Sequence, residues 1–164
     1  MTGPDNAAPK PCLVCQELAG DVEVPGGNLL DEEQVIVFHV PPLSEETVYL
    51  GHLLVTPRRH CPDFAELDRS GTAAVGVAIA TCAAALKAVG AERVYVANVG
   101  HRIEHLHVHV LARWPGTPEE IPWHSVDEWA GARRGAALEI EAMVASLHPS
   151  FQAFADTAGP GIAK

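Results

Sequence analysis

Apolar and polar positions along the chain switch between a period of two and a helical period. Val35-Ile-Val-Phe-His-Val40 is β-branched and apolar, which predicts a strand ended by Pro41 and Pro42. Thr47 to Thr56, with Val-Tyr-Leu-Gly-His-Leu-Leu-Val inside it, predicts a second strand stopped by Pro57. Ser70 to Val89 is alanine-rich and predicts a long helix, with Ser70 or Thr72 as N-cap and Gly90 just past its end. Its apolar residues run nearly all round, so it should be well buried. Arg93 to Val99 predicts a third strand, and the strict alternation from His105 to Ala112 a fourth. Val126 to Leu147 predicts a second long helix, because Ser125 and Glu128 form a capping-box pattern. A short helical turn follows Cys12 and stops at Gly20, and Pro115 to Pro122 is a proline-punctuated loop.

Consecutive strands without crossover helices predict an α+β domain: an antiparallel sheet of about five strands with two main helices. Residues 1–11, with Pro4, Pro9 and Pro11, form a flexible lead; residues 12–150 form a single domain; residues 151–164 form a frayed tail.

Composition fits one domain with a core of normal size: 164 residues, 48% apolar and 20% charged. Lys plus Arg total 11 against 21 for Asp plus Glu, a net charge of −10 with neutral histidine. Such a field repels a polyanion, which argues against nucleic acid or an anionic membrane as partner. A small anion held by a few arginines stays compatible with it. No apolar run approaches the roughly 20 residues that span a bilayer, and residues 1–10 lack a signal-peptide pattern. The expectation is a soluble cytoplasmic domain.

Two features point to chemistry. Six of the nine histidines lie between His52 and His109. In His105-Leu-His-Val-His-Val-Leu111, strand alternation puts His105, His107 and His109 on one face and Leu106, Val108 and Val110 on the other. A row of imidazoles is costly if buried without partners, so a metal, an anion or one another must use them. Cys12-Leu-Val-Cys15 is a C-x-x-C pair, which reads as metal-binding or redox-active; its position after a proline-rich segment weighs against the redox case. Cys61 and Cys82 read as small buried hydrophobes.

Three pieces occur together in order: Gly51-His-Leu-Leu-Val-Thr-Pro-Arg-Arg-His60, the Gly100-x-x-x-x-His105 segment, and His-x-His-x-His. In combination they resemble the histidine-triad superfamily of nucleotide hydrolases and transferases, over about Cys12 to Arg113. The resemblance implies a nucleotide hydrolase or nucleotidyltransferase that acts at an α-phosphate. Its substrate would be a nucleoside phosphoramidate, a dinucleoside polyphosphate or a related nucleotide. His107 matches the central, attacking histidine, which forms a nucleotidyl-histidine; His109 and His52 match the supporting histidines. Asn98, His101, Arg102 and His39 are the candidate nucleotide and phosphate contacts. Similarity to the zinc-bearing branch implies a structural Zn2+ held by Cys12, Cys15, His60 and His105, and the family commonly forms homodimers.

The chain also departs from the pattern. His101 and Arg102 stand where the family usually has glutamine and a hydroxyl residue, and Val40 stands where an acid commonly binds the ribose. Both basic side chains can still donate to an anion. These departures keep two alternatives in view: a catalytically weak nucleotide-binding regulatory module, and a zinc-stabilised interaction domain. Arg58, Arg59 and Arg113 can add positive potential nearby, and Trp114 and Trp123 can wall a pocket, form a dimer seam or simply pack.

Overall fold

A computed structural model describes residues 12–43, 45–100 and 103–157 of the chain. Seven strands and three α-helices follow in the order α1 (Leu13–Ala19), β1 (Asn28–Asp31), β2 (Val35–His39), β3 (Val48–Tyr49), β4 (His52–Pro57), α2 (Arg69–Ala88), β5 (Arg93–Ala97), β6 (Val108–Arg113), β7 (Arg134–Gly135) and α3 (Ala137–Thr157). Five strands form one antiparallel sheet in the order β1-β2-β4-β6-β5, and β3 and β7 form a separate two-stranded ribbon. The expected α+β class and five-stranded antiparallel sheet are present.

The sheet sorts its residues by face. Val35, Val37, Leu53, Val55, Val108, Val110 and Ala112 join the core that α2 and α3 cover, with Val75, Ala78, Ala85 and Leu86 on α2 and Ile140, Val144 and Leu147 on α3. Direct cross-strand partners point to the same side of a sheet. Phe38 opposes Leu54, Leu54 opposes His109, and His109 opposes Ala97, so one row crosses four strands on the other face. There Ile36, Phe38 and Leu54 are covered by Leu18 of α1 with Val24 and Val40.

Several boundaries differ from the expected ones. The second predicted strand is two strands, because Gly51 turns the chain at φ +89° between β3 and β4. The cap of α2 is Asp68, whose carboxylate accepts from the Gly71 N–H at 2.7 Å, in place of Ser70 or Thr72. Over 18 of its 20 residues α2 has a mean hydropathy of 1.5, long and apolar enough to cross a membrane by length and composition, contrary to the expectation that no segment is. Alanine with a few valines, Ile79 and Leu86 produces that value, and the face carrying Val75, Ala78, Cys82, Ala85 and Leu86 packs in the core.

The last helix starts at Ala137, not Val126, and runs to Thr157. Ser125 and Glu128 form only a turn, in which the Glu128 N–H bonds the Ser125 carbonyl. Glu139 instead reaches back to the Ala136 N–H at 2.9 Å, which fixes the true start. Pro149 is tolerated inside α3 because it lies on the exposed side, where the unpaired Ala145 carbonyl meets water.

Gly51 is the tightest joint near His52. Its N–H donates to Nε2 of His39 at 3.0 Å, and an added Cβ would lie 2.7 Å from Trp114 Cζ2 and 3.0 Å from Ala112 Cβ. A left-handed alanine costs about 1–2 kcal/mol and overpacking about 1–3 kcal/mol. Gly51→Ala should therefore lower the free energy of urea unfolding by about 2–4 kcal/mol, and unchanged stability would show that the turn relaxes freely.

Candidate functional site

The residues just before β6 are pinned to the end of β4 and to Cys61. The Leu106 N–H donates to the Cys61 carbonyl at 2.6 Å, and Thr56 Oγ1 donates to the Leu106 carbonyl at 2.7 Å. The regular ladder starts only at Val108, so His105 and His107 precede it, yet the alternation of faces continues back through them. Leu106 is fully buried in the core, and His105 and His107 face the other way.

His105 is 0% exposed. Its Nε2–H donates to the Pro57 carbonyl at 2.8 Å, which leaves Nδ1 as a lone pair. That atom lies 3.6 Å from Cys12 Sγ and 3.5 Å from Cys15 Sγ, and Cys15 Sγ lies 3.3 Å from His60 Nδ1. All four donor atoms sit within 4.8 Å of one another. A tetrahedral site with metal–sulfur bonds of about 2.3 Å and metal–nitrogen bonds of about 2.0–2.1 Å has sulfur–nitrogen edges of about 3.6 Å. The observed separations match those edges. Two thiols and two imidazoles are a donor set suited to zinc, and the set is closed, with no position for substrate. The expected quartet of Cys12, Cys15, His60 and His105 is thus brought together and can hold a metal ion. Burial and the neighbouring Cys12 sulfur push the Cys15 thiol up, a penalty that a bound cation reverses.

His107, two residues on, donates from Nδ1 to the carbonyl of His105 at 2.6 Å. The bond fixes the tautomer: Nδ1 carries the proton and Nε2 presents a lone pair, for which no hydrogen bond is found among the described residues. His109 follows on the same side, its ring centroid 5.1 Å from that of His107. Its Nδ1 lies 2.8 Å from Nε2 of His52. Burial is the main reason both lie below the usual histidine value: it lowers His109, and it pushes His52 down to about 3, with the adjoining His109 ring adding to the effect. The structure therefore lines up His107, His109 and His52.

Other candidates fall elsewhere. His39 is 0% exposed, and both ring nitrogens are used by the backbone: Nδ1–H donates to the Val40 carbonyl at 2.9 Å, and Nε2 accepts from Gly51. It has no free atom for a phosphate and serves to hold the β3–β4 turn. Asn98 is exposed just beyond β5. His101 and Arg102 lie outside the described residues. The other arginines are occupied: Arg58 pairs with Asp31, Arg59 donates to the Glu66 carbonyl, and Arg113 donates to the carbonyls of Ile121 and Pro118 at 2.9 and 2.6 Å. Beside His52 and His109 opens a cleft of about 270 Å³ that also involves Ala97, Val99, Leu111, Trp123, His124 and Asp127. Of these, His124 and Asp127 were not legible in the sequence, because neither shares a period or motif with the histidine strand.

Comparison with known proteins shows the family and the fold. A family model described as the HIT domain matches residues 23–116. An uncharacterised HIT-like protein of Methanocaldococcus jannaschii is 24% identical over 121 residues, covering 70% of this chain and 88% of that protein. A hypothetical histidine triad nucleotide-binding protein from Sulfolobus tokodaii has a similar fold, with TM-score 0.65, 20% identity, and coverage of 93% of this chain and 100% of that one. A zinc-bound histidine triad family protein from Mycobacterium smegmatis aligns with TM-score 0.63 at 18% identity, over 88% of this chain and 96% of that one. With the family model covering more than half of its length, the chain belongs to the HIT-domain family.

Proposed function

We propose that the protein is a cytoplasmic nucleotide hydrolase or nucleotidyltransferase that works through a nucleotidyl-histidine on His107, with a structural zinc at Cys12, Cys15, His60 and His105. The observation that carries this reading is the hydrogen bond from His107 Nδ1 to the His105 carbonyl, which in the neutral ring leaves the lone pair on Nε2, the atom that would attack. The second partner is another copy of this chain, for which β5, the last strand of the five-stranded sheet with Val96 49% exposed, offers an edge.

The chemistry balances on the residues present. In its acid form His109 donates Nδ1–H to Nε2 of His52 and keeps a second proton on its own Nε2. Nε2 of His107 forms a bond to the α-phosphorus as the bond from phosphorus to the leaving atom breaks. That atom takes the bonding electron pair and the proton from Nε2 of His109. Water then attacks the same phosphorus and gives its proton back to Nε2 of His109. The bond to His107 breaks, and a nucleoside monophosphate is released. Burial lowers His109 and so favours giving up its proton in the first step. The zinc, when bound, supplies no reaction step; it fixes the segment that carries His107.

Two outcomes are expected. Protein purified without added metal should hold about one zinc per chain by elemental analysis, and Cys15→Ser should lose the metal and unfold at lower temperature. Metal-free protein of undiminished stability would contradict this. His107→Asn should lower turnover of the best substrate among phosphoramidates, dinucleoside polyphosphates and nucleotide sugars by about 10³-fold or more while retaining binding. Intact mass of the wild type at short times should show one nucleotide added through an acid-labile bond. Near-normal turnover by His107→Asn would move the regulatory binding module ahead.

A further inference from the structure

The metal quartet and the His107 tautomer meet at one peptide group. The N–H of Leu106 donates to the Cys61 carbonyl at 2.6 Å, and the carbonyl of the same peptide, that of His105, receives the Nδ1 proton of His107 at 2.6 Å. Cys61 follows His60 in the chain and Leu106 follows His105, so each end of the Leu106 bond lies one residue from a ligand of the quartet. A cation that holds His60 and His105 together steadies this peptide from both sides. Its loss loosens both anchors at once.

The two sulfurs are the ligands that chemistry can withdraw. Cys12 is the N-cap of α1 and Cys15 lies in its first turn, and their Sγ atoms fall within 4.8 Å of one another. Both are half-buried beside the exposed His60, whereas Cys61 and Cys82 are 0% exposed in the core. A small solute therefore reaches the C-x-x-C pair before the other two cysteines. The thiolate is the metal ligand, and a disulfide leaves neither sulfur as a thiolate. Two imidazoles then remain, half of the set that a closed zinc site needs. A Cys12–Cys15 bond closes inside α1, which stays packed on the sheet through Leu18 against Ile36, Phe38 and Leu54. Thr56 Oγ1 also keeps its bond to the Leu106 carbonyl, so the segment loses its steadying ligands without leaving the sheet.

We infer that Cys12 and Cys15 are a reversible oxidation site, and that hydroperoxides turn the protein off by joining the two sulfurs and expelling the metal. The electrons balance with hydrogen peroxide as oxidant. One thiolate attacks a peroxide oxygen, the O–O bond breaks, and the departing hydroxide takes a proton from solvent to become water; the cysteine is left as a sulfenic acid. The other thiolate attacks that sulfur, the S–O bond breaks, and a second hydroxide leaves and is protonated as the disulfide forms. A thiol reductant returns both thiolates by exchange, and the quartet can reload. The effect on turnover rests on the reading of His107 as nucleophile; the release of metal does not.

The test treats zinc-loaded protein with hydrogen peroxide in the presence of a metallochromic dye. Zinc should pass to the dye as the two thiols disappear, peptide mapping should join Cys12 to Cys15, and circular dichroism should show that the protein stays folded. Turnover should fall by about tenfold to a hundredfold, the usual cost of losing a group that orients a site, and dithiothreitol with added zinc should restore it. Protein stripped by a chelator, its thiols intact, should lose turnover to the same extent and recover on zinc alone. Zinc that stays bound at a peroxide concentration that oxidises N-acetylcysteine in the same sample would overturn the proposal. Release with both cysteines left as sulfinic acids, or a bridge that includes Cys61 or Cys82, would do so too. Turnover that is unchanged after the zinc has left also contradicts it. The two readings fail separately. If no substrate is turned over, yet peroxide and dithiothreitol drive zinc out and back through the Cys12–Cys15 bond, the nucleophile reading fails and the oxidation site stands.

Discussion

His105 is bonded in three directions at once, and the site depends on it. Its Nδ1 faces two thiols, its Nε2–H is held by the Pro57 carbonyl, and its own carbonyl receives the Nδ1 proton of His107. One residue thereby joins the metal quartet, the end of β4 and the proposed nucleophile. The ring is fully buried, so a flip or change of tautomer would strand a polar nitrogen in the interior, at a cost of about 1–3 kcal/mol. The orientation of the carbonyl that sets the His107 tautomer is fixed by the same segment. A metal held by that quartet would thereby bear on whether His107 presents a lone pair.

The second organising constraint is the sheet itself. Strand alternation places aliphatic residues of β6 in the core and sends His109 to the opposite face, while antiparallel registration with β4 brings His52 beside it. Their contact needs no loop to form. Loops then supply what distinguishes this chain: the Gly51 turn, tied down by His39, Tyr49 and Trp114, and the segment after β6, tied down by Arg113. The side chains of the histidine strand are thus placed by the fold's most regular element, and those of the cleft by its least regular one.

That division explains what the sequence made legible. The strand before Pro41, the helix before Gly90 and the Cys12–Ala19 turn each carry a strong local period or stop and appear close to their expected spans, whereas the histidine strand, expected from His105, joins the ladder only at Val108. The metal quartet was reached only through the family resemblance, since no local pattern links Cys12 to His60 and His105, which lie 45 or more positions away from the C-x-x-C pair. The start of α3 was misplaced because Ser125 and Glu128 imitate a cap, whereas the chain there only turns and then pairs with β3 through the two residues of β7 before the helix begins. His39 looked like a ligand contact because a motif cannot reveal that both ring nitrogens already have backbone partners. His124 and Asp127 enter the cleft by tertiary placement alone.

The coupling between the metal quartet and the His107 tautomer is open to one direct measurement, the nitrogen chemical shifts of 15N-histidine-labelled protein by long-range 1H–15N correlation near pH 8. With the quartet metal-loaded, His107 should give a protonated Nδ1 and an unprotonated Nε2. After a chelator removes the metal from protein that remains folded, the two shifts should move toward each other as the tautomers mix. A protonated Nε2 in the loaded protein, or a pattern that does not change when the metal leaves, would contradict the account.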